Sequence, residues 1–536
     1  MAREKKQFDA TIERRITLVL LFFFAAVLAL VARLFVLQIV QYREYSTLAA
    51  KQHRLVEEIA SERGMIFAKE KDGTLVPLAR NRIFKILTVS PKLIKNPEET
   101  ATALAQEFKL DYEGVLKKLS KKDDLYEILA RKIDAEQADK FNERHIPGVF
   151  FEDETRRIYP QETLGAHVLG FVSRETEEEV GRYGLERFYE KDLIGEKGVF
   201  EGNKDTSGFW IALGKRIIHP PRNGSDIVLT LNRAIQLKSE EVLKYTAEKW
   251  GARSGSVLVL DPATGAVLAL AALPAFNPNE FFQEKDLGVF LDPVVEATYE
   301  SGSVMKPITM AGALEAGVIK SETIYQDTGA IKISGYTIKN FDEKAYGVQT
   351  MTQVLEKSLN MGAMYAARLL GKERQLEFLK RFGFGEKTKI DLPGEVSGDI
   401  SNLSEGHDID FATAAFGQGI TVTEIQLASA IAAIANGGKL MKPYIVDEII
   451  EDSGNKIKKE PQLVREVITQ RTAEALTKML ISAVRNGFEN RAGVKVTFDN
   501  SKRLLDLDFK EVVIERVVYR DGQNEYLMNG TQVRLK

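Results

Sequence analysis

Ser303 and Lys306 lie three residues apart in the stretch Glu300-Ser301-Gly302-Ser303-Val304-Met305-Lys306-Pro307. That spacing puts two side chains on one face of a helix, so the amine can reach the hydroxyl. A serine is a weak nucleophile until a neighbouring base takes its proton. A lysine is such a base only when desolvation or nearby positive charge lowers its pKa. The run Met305 to Leu314 is helix-compatible, which predicts that the pair sits near a helix start. There the helix dipole would favour negative charge developing on the serine oxygen. The same two residues at the same spacing also occur as ordinary solvated side chains, so the pair alone does not assign catalysis.

Composition narrows the chemistry further. The 536 residues exceed what one core usually supports, so two or more domains are expected. Net charge is −3, which gives no electrostatic case for binding nucleic acid. Cysteine is absent, which excludes disulfides, thiolate metal sites and cysteine nucleophiles. His53, His145, His167, His219 and His407 are scattered without metal-ligand spacing, so no metal or cofactor is expected. There is no Gly-x-x-x-x-Gly-Lys-Ser/Thr loop for nucleotide phosphates.

The elements that must position the pair follow from pattern. Ile16 to Ala32 carries no charge and, with Leu34 to Leu37 and Ile39-Val40, approaches the length that spans a bilayer. Arg3, Lys5, Lys6, Arg14 and Arg15 precede it, which favours a cytoplasmic N-terminus and an uncleaved signal-anchor over 16–40. Residues 41–222 read as mixed α and β. Ile83 to Val89 is a predicted strand, Asn96-Pro97-Glu98-Glu99 a helix start, and Asp134 a helix cap. Arg63-Gly64-Met65-Ile66, Arg156-Arg157-Ile158-Tyr159-Pro160 and Gly184-Leu185-Glu186 lie in this region without a nucleophile–base pattern, so it reads as structural.

The turn-rich Pro220-Pro221-Arg222-Asn223-Gly224-Ser225 marks a boundary. Beyond it, Ile227 to Leu231 is a predicted strand and a helix begins near Arg233. Ser256 to Leu260 and Ala266 to Leu270 read as a hairpin. Helical stretches follow at Met351 to Leu370 and at Thr423 to Asn436, the latter closed by Gly437-Gly438. The mixture fits an α+β domain.

In order along the chain, these motifs resemble a class B penicillin-binding protein, a bitopic peptidoglycan D,D-transpeptidase. The resemblance spans residues 16 to about 493. Arg63-Gly64-x-Ile66 and Arg157-x-Tyr159-Pro160 resemble its pedestal, or dimerisation, domain. Leu229-Thr230-Leu231, Asp261-Pro262-x-Thr264-Gly265, Pro274-x-Phe276-Asn277-Pro278 and Gly302-Ser303-x-x-Lys306-Pro307 follow. Ser358-x-Asn360 and Asp391-Leu392-Pro393-Gly394-Glu395 complete the series. The Ser-x-x-Lys pattern is an established signature of such enzymes.

The resemblance implies an N-terminal transmembrane helix, an α+β pedestal over 41–222 and a β-lactamase-like serine-transpeptidase domain over 223–493. It implies that the penultimate D-alanine of a stem peptide acylates Ser303, that Lys306 takes the proton, and that Ser358 relays a proton to the leaving amine. Asn360 would orient the substrate amide and Lys306, and the backbone N–H of Ser303 would supply half of an oxyanion hole. Implied partners are peptidoglycan stem peptides, β-lactams, the membrane, a glycosyltransferase and other wall-synthesis proteins. The implied location is the cytoplasmic membrane, with a single span, residues 1–15 inside and the catalytic domain outside. Ser301 stands where many relatives have proline, with no chemical consequence expected.

The family's third motif, Lys-Thr-Gly or Lys-Ser-Gly, is missing after Gly487-Phe488-Glu489-Asn490-Arg491-Ala492-Gly493. Lys387-Thr388-Lys389 is the nearest look-alike, but it lies upstream and lacks the glycine. Residues 494–536 instead resemble the strand pair of a structural-maintenance-of-chromosomes ATPase head, with Glu511 to Tyr519 and Glu525 to Leu535 as a hairpin about Arg520 to Asn524. Two reading frames joined near Val494 would explain this. The transpeptidase domain then lacks the strand of its third motif and one oxyanion donor, a loss of about 10²–10³ in rate, and carries a bare sheet edge. Other readings stay open: a non-catalytic wall-synthesis scaffold of the same fold, a joined product without activity, and, from the tail alone, a chromosome-associated ATPase.

Overall fold

The computed structural model describes residues 24, 26–41, 54–59, 61–70, 72–175, 178–203, 216–487, 491–499, 511–519, 524–528 and 531–533. Of the expected anchor, Ile16 through Phe23 and Ala25 lie outside them; residues 26–35 are helical and run into a π-turn, Val36–Val40. No helix of the described residues is long and apolar enough to cross a membrane.

Two units are distinguished. Residues 1–62 with 194–224 form one, and residues 63–193 with 225–536 form the other. In the first, strands Arg54–Ile59, Gly198–Asn203 and Arg216–His219 make an antiparallel sheet.

In the second unit, the strand Leu75–Val89 covers the predicted Ile83 to Val89 and is long enough to pair with three others: Ile66–Lys69, Glu127–Ile133 and Val149–Ile158. Asp226–Leu229 joins the same sheet parallel to Ile66–Lys69. The helix starts read from sequence are present at Pro97–Phe108 and Ala135–Asn142. Asp134 accepts from the Glu136 N–H, as an N-cap should. Asn96 holds the cap position, but its amide turns to Glu99 and leaves the backbone uncapped by its side chain.

Three separated motifs converge on one carboxylate. Glu186, fully buried, accepts from Arg63 Nε at 2.7 Å, Arg157 Nε at 2.7 Å and the Tyr159 hydroxyl at 3.2 Å. Arg157 also donates to the Gly64 carbonyl, and Arg63 to Glu190. Burial works against the Arg63 charge, but Glu186 and Glu190 outweigh it and raise its pKa. Burial likewise opposes ionisation of Glu186, yet Arg157 and Arg63 hold its pKa below the usual carboxylate value.

The serine helix, Lys306–Glu315, is buried on all sides, as its nearly unbroken apolar composition requires. Its core includes Met305, Ile308, Met310, Met364, Phe382 and Leu476, so it packs against helices Asn360–Leu370 and Gln470–Asn486. Gly312 makes the approach possible: a Cβ there would stand 3.0 Å from the Phe378 ring. The helix predicted over Met351 to Leu370 is two helices, Met351–Glu356 and Asn360–Leu370. Ser358 breaks it by taking a left-handed backbone conformation, φ +52°, which a non-glycine residue adopts only when its surroundings hold it there. Glu424–Ala435 forms as expected, capped by Thr423 and Gln426 in a reciprocal box.

The hairpin Gly255–Leu260 with Val267–Leu273 is also present. Among the described residues, Gly255–Leu260 has no second ladder partner, so its outer edge is open. Against one face of that strand, at Ser256, Leu258 and Leu260, is a groove of about 590 Å³ whose other wall is the helix residues Leu427, Ile431 and Ala435. The tail forms a four-stranded antiparallel sheet from Arg491–Asp499, Glu511–Tyr519, Asn524–Met528 and Thr531–Val533. The expected hairpin is there. Its second strand, predicted to run from Glu525 to Leu535, is two strands paired with each other, Asn524–Met528 and Thr531–Val533; Asn529, Gly530, Arg534 and Leu535 lie outside the described residues.

Candidate active site

Ser303 lies exposed in a 3₁₀ turn, Gly302–Met305, immediately before the helix that Lys306 opens. Gly302 takes φ +57°, and its N–H donates to Gly417 O, so the turn is clamped against the Gly417-Gln418-Gly419 segment. The approach is close enough that a Cβ at Gly417 would stand 2.3 Å from Gly302 O. The Glu300 carboxylate accepts from the Gly419 N–H, and Tyr299 exchanges backbone hydrogen bonds with Val422. These contacts fix the turn from both sides.

Lys306 is 1 % exposed. Its amine lies 3.0 Å from Ser303 Oγ, 3.0 Å from Ser358 Oγ and 2.6 Å from the Ser358 carbonyl. The left-handed turn at Ser358 is what points both its carbonyl and its hydroxyl at one amine. No carboxylate is paired with Lys306 among the described residues. Burial alone lowers its pKa, to about 8, since desolvation disfavours the charged form. A neutral amine can then accept the Ser303 proton while donating to Ser358. The arrangement is a nucleophile, a base and a second hydroxyl in one chain of contacts.

Asn360 opens the next helix, and its amide donates to Lys339 O at 2.9 Å. It makes no hydrogen bond to Lys306 in this structure, so the geometry brings together Ser303, Lys306 and Ser358 and sets Asn360 beside them on another anchor. Lys387-Thr388-Lys389 is a loop closure: Thr388 and Lys389 donate backbone N–H groups to Glu395. Ser301 is 8 % exposed and its hydroxyl has no partner among the described residues, so the residue in the place of proline leaves a buried polar atom unsatisfied. The Gly417 clamp and the Ser358 turn were not identified as functional in the sequence. The glycine pair Gly417-x-Gly419 and the breakage of a long helical run at a serine were the signals.

Residues 255–497 match the family model described as penicillin binding protein transpeptidase domain, and residues 58–229 match the penicillin-binding protein dimerisation domain. Stage V sporulation protein D of Bacillus subtilis is 32% identical over 494 residues, covering 91% of this chain and 75% of that protein. The peptidoglycan D,D-transpeptidase MrdA of Escherichia coli is 30% identical over 469 residues, covering 79% and 72%. The crystal structure of penicillin binding protein 2X from Streptococcus thermophilus superposes with a TM-score of 0.68 at 20% identity, over 88% of this chain and 76% of the other. A dimerisation domain ahead of a transpeptidase domain is thus matched in order, and the chain belongs to the class B penicillin-binding protein transpeptidase family.

Proposed function

We propose that this chain is a membrane-anchored peptidoglycan D,D-transpeptidase that works through an acyl-enzyme on Ser303. The observation that carries the reading is the desolvated amine of Lys306, held within 3.0 Å of both Ser303 Oγ and Ser358 Oγ without a carboxylate to stabilise its charge. Lys306 takes the Ser303 proton as Oγ bonds to the carbonyl carbon of the penultimate D-alanine. The bond to the terminal D-alanine breaks, and its nitrogen receives the proton through the Ser358 hydroxyl. An amine of a second stem peptide then attacks the ester and restores the serine. Asn360 orients the substrate amide, and the Ser303 N–H, near the positive end of its helix, faces the oxyanion. β-Lactams would acylate the same serine by opening of their ring. The anchor at 16–40 holds residues 1–15 in the cytoplasm and the enzyme outside, where a glycosyltransferase partner supplies glycan. The test is labelling with a fluorescent penicillin: covalent signal that Ser303→Ala abolishes supports the reading.

A second reading, a non-catalytic scaffold of the same fold, is favoured by the absent third motif and the open edge of Gly255–Leu260. No labelling of a chain shown to be folded would select it. For residues 494–536 the reading is a segment of foreign origin, similar to part of a chromosome-maintenance ATPase head. Sequencing the source DNA across codons 470–520 checks it: a read into Lys-Thr-Gly would overturn it.

A further inference from the structure

A groove of about 810 Å³, lined by none of Ser303, Lys306, Ser358 and Asn360, lies between the helix Asn360–Leu370 and the hairpin Ala330–Ile333 with Tyr336–Lys339. Met361, Met364, Tyr365 and Arg368 line it at helical spacing, so one face of the helix forms its floor. Tyr365 stacks on Tyr325 with ring centroids 5.5 Å apart, which stiffens one wall. Three cations line the groove, Lys332, Arg368 and Lys372, against one carboxylate, Asp408. Lys372 pairs with Asp408 at 2.5 Å. Arg368 and Lys332 are exposed and have no ion-pair partner among the described residues. The groove therefore has an apolar floor and uncompensated positive charge.

The opposite wall selects the kind of ligand. Ile331, Lys332, Ile333 and Ser334 line the groove consecutively. Alternate residues of a strand point to opposite faces, so a consecutive run marks a wall presented by the strand's edge. Among the described residues, Ala330–Ile333 has a strand partner only in Tyr336–Lys339; on its other edge the Ala330 carbonyl accepts from the Thr328 hydroxyl at 3.0 Å, and no strand covers the Lys332 N–H and C=O. An extended peptide can add to such an edge, and a guanidinium matches a planar carboxylate with two parallel hydrogen bonds.

We propose that this groove is a second peptide site, which takes an extended segment with small aliphatic side chains along Ala330–Ile333 and its free carboxylate at Arg368 and Lys332. The site is coupled to the serine centre through the end of the hairpin, where Asn340, just after its second strand, accepts from the Met361 N–H at 3.3 Å. Lys339, on the partner strand of the hairpin, holds the Asn360 amide at 2.9 Å. A peptide that shifts the hairpin shifts the anchor of Asn360. The inference goes beyond the acyl-enzyme reading and does not depend on it.

The experiment is a titration of the full chain carrying Ser303→Ala, so that acylation has no part in the readout. The probe is N-acetyl-tetra-L-alanine as the free acid, followed by the methionine methyl signals of Met361 and Met364 in NMR. Saturable shifts at both methyls are expected, with the C-terminal amide and the exposed-site variant Lys332→Glu/Arg368→Glu each binding at least tenfold more weakly. Absence of shifts at these methyls, or equal binding of acid and amide, would overturn the proposal. So would unchanged binding by the charge-reversed chain, whose fold is checked by the unshifted methyl signals of Met305 and Met310.

Discussion

Lys306 and the Arg63–Arg157 pair are buried cations of opposite design. Arg63 and Arg157 share the fully buried Glu186, which accepts from both at 2.7 Å, and the charge is compensated where it stands. Lys306 is equally buried but meets only two hydroxyls and a carbonyl. Burial thus raises the cost of charge on Lys306 with nothing to offset it, and its pKa falls to about 8. The first arrangement ties three sequence motifs into one strut. The second leaves an amine ready to give up and recover a proton. A buried cation's partners, more than its burial, separate a structural role from a chemical one.

Breaking each side should give opposite results. Lys306→Met keeps the volume and removes the base, so acylation by penicillin should slow by about 10²–10⁴. Denaturant midpoints of the same variant should stay within about 1 kcal/mol or rise, since no charge is left unpaired. A large loss of stability would show that the amine is a strut after all. Glu186→Ala strands two guanidinium groups and should cost about 3–5 kcal/mol in the same measurement. A cost under 1 kcal/mol would mean that the carboxylate is not what compensates them.

The pH dependence sharpens the contrast. The neutral amine is the base, so the acylation rate should rise about tenfold per pH unit below pH 8 and level above it. Stability should move with it: the folded pKa of Lys306 lies below its ordinary 10.5, so the unfolded chain binds more protons between about 8 and 10.5. Folding stability gains with rising pH across that window. A flat stopped-flow profile between pH 6 and 9 would contradict the assignment. The smallest effect is expected at Ser301, whose φ of −69° suits proline. Ser301→Pro removes an unpaired buried hydroxyl and should stabilise by about 0.5–1 kcal/mol, read as a shift in thermal midpoint.

Much of this was legible in the chain itself. The Ser303–Lys306 spacing, the Asp134 cap, the Thr423–Asn436 helix and the Ser256–Leu270 hairpin all rest on local pattern, and each is where the residues place it. The break at Ser358 was not legible, because its left-handed turn is held by Lys306, some fifty residues earlier in the chain. The convergence of Arg63, Arg157 and Glu186 was also hidden: each motif looked structural alone, and only the sheet brings them to one carboxylate. Asn360 shows the limit of motif reading. Its place beside Ser358 is set by sequence, but its anchor, Lys339, belongs to a hairpin that no motif announced.

The central claim is that Lys306 is held as a desolvated base for Ser303. Its most direct test is the titration of Lys306 in the intact chain, followed through the ε-carbon signal of ¹³C-labelled lysine and assigned by its disappearance in Lys306→Met. The account predicts a midpoint near 8. A midpoint at or above the ordinary lysine value of 10.5 would contradict it.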